Sequence, residues 1–127
     1  MAISQKRATR KSTGGRYTNT NPKRLSNLGF PSALTHIGGA RVKDKKVRGG
    51  NVKKSALSID TANLLNPKTG KHSKAKIEKV EESSANRNYV RRNIITRGTV
   101  VKTSKGKAKV TNRPSQEGFI NAVLLQE

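Results

Sequence analysis

Residues 94–110 read IITRGTVVKTSKGKAKV, and this stretch decides the fold class of the chain. Val100 and Val101 follow a glycine, and Ala108 and Val110 alternate with lysines beyond a Ser-Lys-Gly sequence. Alternation with a period of two is typical of a half-buried β-strand, and small polar residues with glycine between two such runs indicate a turn. The stretch therefore predicts short strands joined by a tight turn.

Similar short runs lie on both sides of this stretch. Strand-like patterns occur around Val42 and Val47 and at 57–59, 74–79, 89–90, 94–95 and 119–125. Gly, Asn, Pro and Ser separate these runs, as expected for turns, and the predicted turns include Gly49-Gly50 before Asn51 and Arg113-Pro114…Gly118. The pattern predicts a small all-β barrel or sandwich of short antiparallel strands, with 119–125 as its central strand. One helical turn is expected at 60–65, before Pro67.

Composition limits the class of protein. The chain has 127 residues, 28 Lys and Arg against 7 Asp and Glu, a formal net charge of +21 and 31% hydrophobic residues. Its length fits one small domain. The longest apolar run, 122–125, is far shorter than the roughly 20 residues that span a bilayer, and no apolar stretch follows the basic N-terminus as in a signal peptide. The chain has no cysteine, which excludes a disulfide scaffold and a thiolate metal site.

The charge indicates a polyanionic partner, because +21 on so short a chain opposes compaction unless counter-charge is supplied. Nucleic acid is the favoured partner, and an anionic membrane surface and an acidic protein are alternatives. Residues 1–54 hold 14 Lys and Arg but one acid, and residues 1–20 are poor in large apolar side chains. We expect 1–20 to form a basic tail that becomes ordered only on a partner. One short helix is predicted near 22–28, capped by Asn21 and ended by Gly29.

Three basic clusters, at 6–17, 41–54 and 87–98, contain the candidate RNA-binding residues except Lys23 and Arg24, which lie in the predicted short helix. Lys and Arg neutralise phosphates, glycine pairs allow close approach of the backbone, and Arg16 and Tyr17 are suited to stacking on unpaired bases. The alternatives are a solubilising tail, a solvated edge strand and a solvated face. The predicted set is Lys6, Arg7, Arg10, Lys11, Gly14, Gly15, Arg16, Tyr17, Lys23, Arg24, Arg41, Lys43, Lys45, Lys46, Arg48, Gly49, Gly50, Asn51, Lys53, Lys54, Arg91 and Arg92.

Catalytic patterns are weak in this sequence. His36 and His72 stand alone, without a nearby cysteine or carboxylate pair, so a metal site is not expected. Three glutamates at 78, 81 and 82 are interpreted as tempering the positive field rather than as an acid–base pair. No Gly-x-Ser-x-Gly motif occurs. We therefore expect neither an enzyme nor a cofactor, a metal or a small-molecule substrate.

The order of several blocks resembles one known family, small-subunit ribosomal protein family eight of the archaeal–eukaryotic set ("S-eight-e"). The resemblance runs nearly from end to end, and the short length resembles the archaeal form. The blocks that carry it are RKSTGGR at 10–16, KRL at 23–25, VRGGNVK at 47–53, ANR at 85–87, RRNIITRG at 91–98, GKAKVTNRP at 106–114 and NAVLL at 121–125.

The resemblance implies a structural protein of the cytoplasmic small ribosomal subunit that binds small-subunit rRNA beside neighbouring ribosomal proteins. It also implies a β-barrel domain, at 35–127, behind a basic N-terminal extension, at 1–34, that threads into rRNA. A ribosome-assembly factor is an alternative, because a longer biogenesis protein is similar in its barrel. A nucleoid DNA-binding protein is another alternative, because charge alone does not distinguish DNA from RNA. A membrane-surface protein would need a broader apolar helix face than 21–29 offers.

Overall fold

The computed structural model of the chain describes residues 8–18, 22 and 24–125. The chain divides into two units, Met1–Ser32 and Ala33–Glu127. Within the described part of the second unit there are nine strands and two short α-helices. In chain order these are β1 (Thr35–His36), β2 (Arg41–Lys46), β3 (Val52–Ser58), β4 (Thr61–Leu65), β5 (His72–Glu82), α1 (Arg87–Arg91), β6 (Ile94–Ile95), β7 (Val100–Thr103), β8 (Gly106–Val110), α2 (Pro114–Glu117) and β9 (Asn121–Leu124).

Five of these strands close a barrel in the order β4-β5-β7-β8-β9, which confirms the predicted all-β barrel. The turn predicted within 94–110 joins β7 to β8, where Thr103 pairs with Gly106. The closing pair, β4 with β9, is parallel, whereas the sequence predicted antiparallel strands throughout. An odd number of strands around a closed barrel cannot alternate in direction at every step, so one pair must run parallel.

The barrel interior is filled by alternate residues of each strand, and small side chains suit its narrow bore. Ala62, Ala75, Ala108 and Ala122 are all buried there. Two of these alanines face larger side chains, since Ala108 is in register with Val101 on β7 and Ala122 with Leu64 on β4. Combining small and large residues at facing positions gives a dense core without overpacking.

The remaining strands form a second sheet in the order β2-β3-β1-β6. Ala56, Ile59 and Ile95 from this part of the chain join the buried cluster formed by the barrel side chains. The β2–β3 pair extends from the sheet as a hairpin, and its outer part is exposed to solvent. The strand predictions did not bring β1 and β6 into this second sheet, because the pairings of β1 with β3 and with β6 join residues distant in sequence.

Three local predictions were wrong. Residues 60–65 do not form a helical turn, because Ala62 and Leu64 point inward with the period of a strand. Residues 89–90 lie in α1, whose start is fixed by the Asn86 side chain accepting a hydrogen bond from the Asn88 amide (2.9 Å). Within 119–125, only Asn121–Leu124 form a strand, β9. This strand is not central, because every strand of a closed barrel has a neighbour on each side.

The first unit contains, in its described residues, a single 3-10 turn, Leu25–Asn27, where the sequence predicted a helix near 22–28. Its N-cap, Arg24, makes no side-chain capping hydrogen bond, and its C-cap is the extended Leu28 rather than Gly29. The predicted cap Asn21 lies outside the described residues. In the described part of the chain, no helix has the length and apolar character to cross a membrane.

Candidate nucleic-acid interface

The β2–β3 hairpin carries the densest group of cations in the described chain. Its strands pair from Val42 with Ala56 to Lys46 with Val52. Gly49 and Gly50 both have positive φ, +78° and +75°, a conformation that glycine adopts without steric cost. The turn predicted at this Gly-Gly-Asn sequence is therefore confirmed, and it places Arg48 at the exposed end of the hairpin.

Register sorts the hairpin lysines onto two faces. Lys45 lies directly opposite Lys53, and Lys43 lies two residues from Lys45 on the same face. We call Lys43, Lys45 and Lys53 the lysine face. Like charges directly opposite each other destabilise a strand pair, so this face opposes folding of the free hairpin and favours binding of an anion.

The other face of the hairpin carries the one acid of this segment. Asp44 is in register with Lys54, but no ion pair joins their side chains. The ion pairs of the described residues lie elsewhere, at Lys102–Glu78 and Lys107–Glu81. Within the described chain, the predicted hairpin cations therefore have no carboxylate partner; they are Arg41, Lys43, Lys45, Lys46, Arg48, Lys53 and Lys54.

The predicted tail cluster is a closed loop where the structure describes it, not a structureless segment. Arg10 pairs with Arg16 as antiparallel residues, and the amide of Lys11 donates to the Gly15 carbonyl (2.8 Å). The Arg10 guanidinium donates to the Gly14 carbonyl (2.9 Å). Short-range hydrogen bonds thus order the loop and leave its cationic side chains exposed.

Tyr17, predicted to stack on a base, lies at the end of this loop. The Lys11 ammonium lies 5.6 Å from the centre of its ring, within the range of a cation–π contact. Gly14 has φ +86° and open space around it. Arg24 is exposed, whereas Lys6, Arg7 and Lys23 of the predicted set lie outside the described residues.

The third predicted cluster, Arg91 and Arg92, lies at the end of α1 and is exposed. The Arg92 carbonyl is 3.4 Å from His36 Nδ1. In the second sheet, His36 on β1 lies in register between Ser58 on β3 and Ile94 on β6. These three residues lie at the end of the sheet away from the hairpin loop. The structure therefore separates Arg91 and Arg92 from the lysine face.

A second row of lysines, absent from the predicted set, lies on the outer wall of the barrel. Lys79 on β5 is in register with Lys102 on β7, which in turn is in register with Lys107 on β8. We call these three residues the barrel row. Their alternation with apolar residues was visible in the sequence, but their alignment across three strands required the register, including the irregularity between Ile77 and Lys79.

The barrel row carries its own counter-charge. Lys102 Nζ lies 3.6 Å from Glu78 Oε2, and Lys107 Nζ lies 3.3 Å from Glu81 Oε2. Glu78 and Glu81, which we predicted to temper the positive field, therefore do so by pairing with specific lysines of the barrel row. The barrel row offers an anion less uncompensated charge than the lysine face does.

An open groove of about 600 Å³ lies on the β4–β5–β9 side of the barrel. His72 and Lys74 supply its ionisable groups, beside an amide pair in which Asn63 Nδ2 donates to Asn121 Oδ1 (3.1 Å). Over residues 8–18, 22 and 24–125, no group of three His, Cys, Asp or Glu side chains is placed to hold a metal ion. The chemistry of the described surface is thus that of exposed cations rather than of paired acids and bases.

Fold and charge together define a small, strongly basic β-barrel protein. The family described as ribosomal protein S8e matches residues 4–125. The chain belongs to this family, which confirms the resemblance seen in the sequence blocks. The family comprises ribosomal structural proteins rather than enzymes, in agreement with the expectation from the sequence.

Curated relatives are similar over nearly their whole lengths. The chain is 51% identical to the small ribosomal subunit protein eS8 of Methanospirillum hungatei, over 96% of this chain and 98% of the relative. It is 48% identical to the eS8 protein of Methanocorpusculum labreanum, with the same coverage. It is 46% identical to the eS8 protein of Picrophilus torridus, over 98% of this chain and 100% of the relative.

Proposed function

We propose that this chain is a structural constituent of the cytoplasmic small ribosomal subunit and that it binds small-subunit rRNA through its lysine and arginine side chains. Family membership supports the ribosomal role, since the relatives are named small ribosomal subunit proteins. The observation that carries the RNA contact is the lysine face, where Lys45 opposes Lys53 without a described carboxylate partner.

The proposed mechanism is electrostatic. Each phosphate neutralised by a lysine or arginine releases condensed counterions, so binding weakens steeply as salt rises. The exposed hairpin presents its cations on both faces, which suits insertion between RNA strands. Recognition rests on shape and phosphate spacing rather than on base sequence, because the major groove of A-form RNA is too narrow for side chains to read.

The tail contributes a second contact in this proposal. Residues 1–34 act as an RNA-threading extension, and 35–127 form the barrel domain that carries the hairpin. The closed loop at residues 9–17 supports this role, since it holds Arg10, Lys11 and Arg16 close together and exposed. Glycine at 14 and 15 lets the loop backbone approach a phosphate closely.

The test is gradient sedimentation of a native lysate at low and high salt, with the protein followed by mass spectrometry. We expect co-migration with mature small subunits and with translating ribosomes, and an end to this co-migration after nuclease treatment. Protein confined to precursor particles would identify an assembly factor instead. Protein associated with DNA, or free of nucleic acid, would contradict the proposed function.

A further inference from the structure

The β2–β3 hairpin packs against α2 and against Gly118, the residue that ends this helix. A Cβ atom at position 118 would lie 2.8 Å from Lys54 Cβ and 3.3 Å from Val42 Cγ1. Separations below 3.0 Å essentially never occur for real Cβ atoms, so any side chain here displaces the hairpin or the loop. Gly118 also has φ +81°, which disfavours other residues independently of the contact.

Asn112 fixes the loop that presents Gly118. Its Nδ2 donates to Glu117 Oε2 (2.8 Å) and to the Phe119 carbonyl (2.9 Å). Its Oδ1 accepts from the Asn121 amide (2.9 Å). One side chain therefore ties both neighbours of Gly118 and the start of β9 to the end of β8.

Hydrogen bonds and a packing contact therefore connect the barrel to the hairpin. Asn112 is anchored beside the barrel strands β8 and β9, it holds the loop around Gly118, and Gly118 touches the hairpin at Lys54. This contact falls midway along β3, on the face opposite the lysine face. A support at this point is suited to setting the angle at which the lysine face leaves the barrel.

We propose that Gly118 and Asn112 are positioning residues that set the orientation of the β2–β3 hairpin and so align its cations with rRNA phosphates. This inference rests on the proposed function for its consequence in binding, but the orientation itself is a property of the free protein. The part of this device visible in sequence is the Arg113-Pro114…Gly118 pattern, which we interpreted only as a turn and which does not include Asn112.

Gly70 provides a matched control for Gly118. Both glycines have positive φ, +64° and +81°, and both amides donate to the carbonyl four residues earlier, at Asn66 and Pro114. Nothing lies within 4 Å of a Cβ at position 70. Gly118→Ala and Gly70→Ala therefore share the backbone strain, and only Gly118→Ala adds the collision with the hairpin.

The orientation is measured in the free protein. Because the chain has no cysteine, Asn51→Cys at the hairpin end and Ser104→Cys at the barrel turn accept two spin labels without competing sites. We expect Gly118→Ala to shift or broaden the interspin distance distribution, and Gly70→Ala to leave it unchanged. An unchanged distribution in a folded Gly118→Ala protein would overturn the inference.

Binding is measured with unlabelled proteins and small-subunit rRNA transcribed in vitro, with tRNA as competitor. For Gly118→Ala we expect a shallower salt dependence, with the log–log slope reduced by about 0.7–0.9 for each phosphate that the misaligned hairpin no longer neutralises. Gly70→Ala should keep the slope of the original protein even if it is less stable. A changed distance with unchanged binding would support the orienting role and contradict the proposed hairpin interface, which separates the two failures.

Asn112→Ala keeps the inference testable if Gly118→Ala does not fold. This variant removes three hydrogen bonds around the loop without adding a collision. We expect a broader distance distribution and a shallower salt slope. A distribution as narrow as that of the original protein would refute the role of Asn112.

Discussion

The β2–β3 hairpin and the outer wall of the barrel are both rich in lysine, and they differ in where the carboxylates lie. In the barrel row, Lys102 and Lys107 have glutamate partners at 3.6 Å and 3.3 Å. On the lysine face, Lys45 and Lys53 oppose each other. Lysine content alone therefore does not identify an anion-binding surface, since two lysines of the barrel row have carboxylate partners within the protein and the lysine face has none among the described residues.

The strongest test of this comparison replaces three lysines in each region. The triple change of Lys43, Lys45 and Lys53 to Gln should weaken rRNA binding about a hundredfold at roughly 0.1 M salt, because three fewer phosphates are neutralised. It should also lower the slope of the salt dependence by about 2–3. The triple change of Lys79, Lys102 and Lys107 to Gln removes the same charge and should weaken rRNA binding much less than the change on the lysine face. Filter binding over a salt series measures both, and equal effects would refute the distinction.

A second test extends the comparison to the tail. Arg10→Ala with Lys11→Ala should weaken rRNA binding about tenfold or more, because two cations are removed, and Arg10 also holds the loop through the Gly14 carbonyl. The barrel should stay folded, with an unchanged melting temperature, since the tail loop belongs to the other unit. Unchanged affinity together with an unchanged salt slope would contradict a role for the tail.

A third test reverses one charge on the lysine face. Lys53→Glu places a carboxylate opposite Lys45 and so converts a repulsive cross-strand pair into an attractive one, worth about 0.2–1 kcal/mol. We expect the melting temperature of the free protein to rise by about 1–4 °C while rRNA affinity falls. Circular dichroism during thermal unfolding measures the melting temperature, and filter binding measures the rRNA affinity. Lys53→Gln is the control, and a lower melting temperature for Lys53→Glu than for this control would count against the repulsion.

The smallest effect is expected on the barrel wall. Glu81→Gln removes the partner of Lys107 and should lower the free energy of unfolding by about 0.2–1 kcal/mol, as is typical of surface ion pairs. Glu82→Gln is the matched control, since Glu82 is exposed and has no ion pair among those of the described residues. Chemical denaturation compares the two, and equal effects would mean that the Lys107–Glu81 pair contributes nothing.

Much of the fold was predictable from local pattern. The strands β5, β7 and β8 follow alternation, and the Gly49–Gly50 turn follows from glycine chemistry. The helical turn expected at 60–65 failed although Asp60 is a good N-cap residue, because the burial of Ala62 and Leu64 with the period of a strand decided the conformation. The α1 helix was missed although Asn86 is a good N-cap residue, because its apolar residues were interpreted with the period of a strand.

The candidate site was predictable as a set of cations and not as a geometry. The order of basic blocks identified the family and the hairpin segment, since both are properties of the linear sequence. The sequence could not place Lys45 opposite Lys53, because register depends on which residues pair across the turn. It also could not separate the barrel row from the lysine face, because the Lys107–Glu81 pair brings together two strands that are not adjacent in sequence.

The sequence by itself determined the charge, the β-rich class and the family, since these depend on composition, on alternation and on the order of short blocks. The tertiary structure decided three further features: the parallel closure of the barrel by β4 and β9, the opposition of like charges on the hairpin, and the contact of Gly118 with Lys54. Each depends on which residues the fold brings together from separate segments of the chain. The barrel closure and the Gly118 contact join segments that are far apart in the chain, whereas the opposition of like charges follows from the register that the hairpin turn fixes.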